Sequence, residues 1–90
     1  MEIKIEFKDI VKLQKLYIEI YEEEDQDYPD GRIIRNKEKA VQRILDKITN
    51  DNYSQRQIWY IIQTKSWDQT DYSYKPICDE LRKLNYIILK

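Results

Sequence analysis

One glycine in ninety residues is the strongest constraint on what this chain can fold into. Barrels and sandwiches need many tight turns, and turns with positive φ draw on glycine because it lacks a Cβ. A chain with Gly31 alone is therefore directed toward a few long elements and few reversals. Its stretches rich in Ile, Leu, Lys and Glu point the same way, toward helices. Apolar residues make up 41% and charged residues 37%, and the apolar ones recur at regular spacing rather than thinning out as in disorder. The length fits one domain, residues 1–90, in which folding buries roughly three-fifths to two-thirds of the open chain's surface. Little apolar material is left for a deep pocket.

Glu2-Ile3-Lys4-Ile5-Glu6-Phe7 alternates apolar and charged residues, the pattern of a half-buried strand. Asp9 is then expected to cap a helix running through Tyr21, with Ile10, Leu13, Leu16, Tyr17 and Ile20 on one face and Val11, Ile18 and Tyr21 widening it. Glu22, Glu23, Glu24 and Asp25 put negative charge at the wrong end of that helix, so fraying is expected there. Tyr28-Pro29-Asp30-Gly31 reads as a turn in which glycine takes positive φ, followed by a brief extended segment over residues 32–35.

Asn36 is the expected cap of a second helix over residues 37–49, with Ala40, Val41, Ile44, Leu45 and Ile48 as its stripe and Asn50 as a left-handed exit. Ser54 and Gln57 have capping-box spacing, and Tyr53 and Ile58 the spacing of a hydrophobic staple, so residues 55–65 are expected to be a third helix. The run Ile58-Trp59-Tyr60-Ile61-Ile62 has β propensity and opposes that reading. Ser73 caps an expected fourth helix with Pro76 in its first turn and Tyr74, Ile77, Cys78, Leu81 and Leu84 on one face. Asn85 ends it, and residues 86–89 form a strand covered on both faces or paired with the first. The expected class is α+β, predominantly helical.

The residue inventory argues against catalysis. There is no histidine, one cysteine and no glycine-rich loop, which removes the commonest general base, the commonest zinc ligand and a phosphate cradle. No catalytic residue, metal or cofactor is expected. Asp25, Asp27, Asp30 and Gly31 approach a calcium-loop pattern, but Pro29 breaks the register and Lys37 falls where the bidentate glutamate belongs. Cys78 lies on an apolar stripe and reads as a small buried hydrophobe. With no leader-like or membrane-spanning run and no disulfide framework, the expected location is the cytoplasm, away from membranes.

Net charge is only −1, yet residues 1–30 carry ten acids and four lysines while residues 31–90 carry twelve bases and seven acids. Such asymmetry speaks to partners rather than to fold. The order of the last three helices and a strand, with Leu81-Arg82-Lys83-Leu84-Asn85-Tyr86-Ile87 at the junction, resembles the winged helix-turn-helix superfamily over residues 37–90. The resemblance implies a three-helix winged-helix-like unit behind the N-terminal strand and helix. Residues 37–49 and 54–65 would be its first two helices and 74–84 the recognition helix, with a second wing strand either supplied by residues 2–7 or missing. It also implies that Tyr72, Tyr74, Lys75, Asp79, Arg82 and Lys83 face the major groove or phosphates.

Two partner classes follow. As a small nucleic-acid-binding regulator of phage or mobile-element type, the protein would use Arg32, Arg35, Lys39, Arg43 and Lys47, with Lys75, Arg82 and Lys83, and would pair as a homodimer. As a protein-binding inhibitor of anti-defence or anti-CRISPR-like kind, it would present Tyr21, Glu22, Glu23, Glu24, Asp25, Asp27 and Tyr28 to the basic channel of a nucleic-acid-handling enzyme. The richness in Lys, Ile, Tyr and Asn resembles proteins of AT-rich bacteria, their phages and mobile elements.

Overall fold

A computed structural model describes residues 2–67 and 74–90. The element order is β1 (Lys4–Glu6), α1 (Phe7–Glu24), α2 (Gly31–Ile48), α3 (Asn52–Trp67), α4 (Lys75–Lys83) and β2 (Ile87–Leu89). The fold is therefore a small α+β one, mostly helical. β1 and β2 pair in parallel with Ile5 beside Ile88, and the Ile87 amide donates to the Ile3 carbonyl at 3.0 Å. A parallel pair cannot be closed by a hairpin, so the sheet joins the two ends of the described chain across four helices.

The core is aliphatic. Ile5, Ile10, Leu13, Val41, Leu45, Ile58, Ile62, Ile77 and Leu81 are buried, drawing on β1 and all four helices. The Ile58–Ile62 run, with its β propensity, is helical. Ile58, Ile61 and Ile62 lie three and four apart on the buried side, and tertiary burial outweighs the intrinsic preference. Tyr86 packs beneath them, and its buried hydroxyl donates to Gln57.

Helix ends are where the expectations from sequence are corrected. α1 begins two residues before Asp9, at Phe7, and Glu6 stands at its N-cap without a side-chain capping bond, its carboxylate lying 3.1 Å from Lys8 instead. Asp9 is no cap but a first-turn residue only 2% exposed. α1 also continues through Glu24 rather than fraying at Tyr21, because Glu23 Oε1 accepts the Asp30 amide at 3.0 Å and so closes the loop. Gly31 takes no positive φ; it is the first residue of α2, with Asp30 capping by accepting the Arg32 amide at 2.9 Å.

Residues 32–35, expected to be extended, are the opening of α2, and Asn36 lies inside that helix. Asn50 is not the left-handed exit: Thr49 at the C-cap is extended. Asp51, not Ser54, caps the start of α3: its Oδ2 accepts from the Ser54 amide at 3.3 Å and hydroxyl at 2.6 Å. These bonds, the hydroxyl's above all, hold the Asp51 carboxyl below its ordinary value of 3.8. Tyr53 is 72% exposed and staples nothing.

Ser73, the expected cap of α4, and Tyr72 lie outside the described residues. α4 starts with Pro76 in its first turn, as its fixed φ allows. It ends in a Schellman motif: the Asn85 amide donates to Arg82 O and the Tyr86 amide to Leu81 O at 3.1 Å. Asn85 carries φ 71°, the positive φ such an exit requires.

Candidate nucleic-acid-binding face

The early start of α2 changes the geometry of the basic residues. Arg32, Arg35, Lys39 and Arg43, divided by sequence reasoning between an extended segment and a helix, belong to one continuous helix. At 3.6 residues per turn they fall within about 80° of arc and follow one another over about 16 Å. All four are exposed. Among the described residues, none of the four side chains enters an ion pair or hydrogen bond. On the opposite side Val41 and Leu45 are buried, with Ile34, Ile44 and Ile48 packed beside them. The same amphipathic period that buries the aliphatic stripe aligns the cations outward.

The other expected contacts are placed differently. Lys47 continues the stripe, but its ammonium lies 3.0 Å from Asp9 Oδ2 and donates to Oδ1 at 3.2 Å. That hydrogen bond is the main cause that holds the lysine above its ordinary 10.5. Lys47 is therefore a clamp between α2 and α1. Lys37, on the flank of α2, is committed to Glu19 at 3.1 Å.

The three cations of α4 are likewise met by carboxylates. Lys75 lies 2.7 Å and Arg82 3.7 Å from Asp79, and Lys83 lies 3.9 Å from Glu80. The Lys75 hydrogen bond is the largest influence holding the Asp79 carboxyl below its ordinary 3.8. Burial pushes the Cys78 thiol up, which suits a core residue rather than a nucleophile.

The acidic-aromatic set occupies the opposite end of α1 from the sheet and the loop that follows. Glu23 and Asp30 are spent on the loop and on the α2 cap. Glu22, Glu24, Asp25 and Asp27 are exposed, and Tyr28 is 92% exposed. Among the described residues no three or more His, Cys, Asp or Glu are grouped so as to hold a metal ion. No helix among them is long and apolar enough to cross a membrane.

No family model, curated protein or solved structure matches the chain. Sequence reasoning found the cations of α2 but not their alignment, which depends on Asp30 rather than Asn36 being the cap. An Asp followed by Gly, with Ile34 in phase with Val41 and Leu45, was the signal for it.

Proposed function

We propose that this protein is a non-enzymatic, cytoplasmic nucleic-acid-binding regulator that grips backbone phosphates with the exposed face of α2. The observation that carries this reading is the stripe Arg32, Arg35, Lys39 and Arg43, unpaired among the described residues. Four uncompensated cations in line release counterions when they meet phosphates, which supplies affinity without base recognition. The winged-helix resemblance of residues 37–90 favours the same class of partner and a paired protein. The contact helix, however, is α2, because the cations of α4 already face Asp79 and Glu80.

The test is binding of a labelled duplex across a salt series. Affinity should fall with a log–log slope of about −3 to −4, near 0.9 per phosphate neutralised. Replacing Arg32, Arg35, Lys39 and Arg43 by Gln should abolish binding, whereas replacing Lys75, Arg82 and Lys83 should leave most of it. Undiminished binding by the α2 variant would sink the proposal.

A second reading, inhibition of a nucleic-acid-handling enzyme, is favoured by the tip of the helical hairpin. There Tyr28 stands 92% exposed among Glu24, Asp25 and Asp27, whose side chains have no partner among the described residues. An aromatic anchor ringed by acids suits a basic channel.

A further inference from the structure

The outer face of α1 is little used by the fold: at its first residue Phe7 meets Tyr74 edge-on, ring centroids 5.5 Å apart, and beyond it the face adds nothing to the core. At 3.6 residues per turn, Phe7, Ile18, Val11, Glu22, Lys15 and Lys8 fall in that angular order within about 100° of arc. Phe7 is 37% exposed. Val11 and Ile18 are half-buried, yet they stand apart from the apolar residues packed on the core. Val11 instead floors, with Phe7 and Leu89, an open groove of about 800 Å³ edged by Lys8, Lys12 and Lys90. Charge along this face is sorted by sign. Lys8 and Lys15 occupy its first half, with Lys12 just beyond the arc, and Glu22 is the exposed acid of its second half, Glu24 falling on the other side of the helix.

We propose that a second copy of this chain covers this face, with α1 lying antiparallel against α1 about a twofold axis. Parallel pairing would set Lys8 against Lys8 and Glu22 against Glu22, a repulsive register. Antiparallel pairing sets Val11 against Ile18 of the second copy, and Ile18 against its Val11. Lys8, whose ammonium lies 3.1 Å from Glu6 of its own chain at an exposed site, then meets Glu22 of the second copy at both ends. One patch serves both copies, as a twofold interface requires. The axis passes beside Lys15, so the two Lys15 ammonium groups approach each other and weaken the pair. The proposal rests on the functional reading only in taking the protein to be paired, and its test uses no nucleic acid, so either can fail alone.

Sedimentation equilibrium of the full chain should show a concentration-dependent dimer. Lys8→Glu and Glu22→Lys should each weaken it about tenfold by turning two attractive contacts into repulsive ones, and the double exchange should restore it. Lys15→Gln should tighten it. All three positions are exposed surface, so these variants fold. A short bis-maleimide should join Lys15→Cys to itself, and Lys8→Cys to Glu22→Cys, with buried Cys78 left in place. A monomer at every concentration, a double exchange that fails to restore pairing, or self-linking of Lys8→Cys exceeding its linking to Glu22→Cys would overturn the proposal.

Discussion

The single glycine and the one left-handed residue among the described residues are at different positions. Gly31 opens α2 with a φ any residue adopts, and a Cβ built on it meets nothing within 4 Å. Asn85 holds φ 71° at the exit of α4, a conformation that costs other side chains roughly 1–2 kcal/mol. Glycine is thus dispensable where it stands and useful where it is missing. Gly31→Ala should raise stability by about 0.4–1 kcal/mol, through the entropy of the unfolded chain. Asn85→Gly should be neutral or stabilising, and Asn85→Val should cost about 1–2 kcal/mol. Urea titration of the three variants checks the ordering; a destabilised Gly31→Ala would mean that residue 31 needs a freedom its φ does not show.

At the scale of elements, the fourfold helical layout was legible in the sequence because the aliphatic period is strong. Ile10 and Leu13, Val41 and Leu45, and Ile77, Cys78 and Leu81 all lie buried on the stripes that their spacing defines. The caps were less legible, since several Asp, Asn and Ser residues compete near each start and the winner depends on tertiary packing. Asp9 has cap-like placement, but Lys47, thirty-eight residues away, draws it into the α1–α2 seam. Spacing alone cannot disclose that contact, so Lys47 looked like one more phosphate-binding cation.

The seam carries a pH prediction. Lys47 is held above 10.5 by its bond to Asp9, so the folded state retains a proton that the unfolded chain gives up sooner. The resulting stabilisation is complete below the ordinary lysine value and is lost as pH rises through the folded one. Melting temperature should therefore fall on the alkaline side, and that fall should flatten in Asp9→Asn. Lys47→Met should lower the melting temperature at neutral pH by leaving the Asp9 carboxylate buried without its cation. Adding Asp9→Asn to Lys47→Met should recover part of the loss. Equal alkaline slopes with and without Asp9 would remove the clamp from the account.

Across the whole molecule the two surfaces of opposite sign are neighbours, because Asp30 ends the acidic loop and caps the helix that carries the basic stripe. They cannot act independently. A duplex lying along Arg32–Arg43 meets the field of Glu24, Asp25 and Asp27 at the stripe's first turn, within a Debye length of about 10 Å at 0.1 M salt. Those carboxylates should repel phosphate and restrict how far the duplex runs toward the tip. Replacing the three by Gln, Asn and Asn should therefore strengthen duplex binding several-fold at low salt and change it little at 0.5 M, where the Debye length is about 4 Å. If the protein works instead as an inhibitor with the acidic tip as its contact, the same variant should lose its enzyme partner and fold unchanged. One triple substitution thus moves the two readings in opposite directions. Fluorescence anisotropy with a duplex at two salt concentrations is enough to see which way: tighter binding at low salt places function on α2, and unchanged binding at both concentrations separates the tip from the stripe.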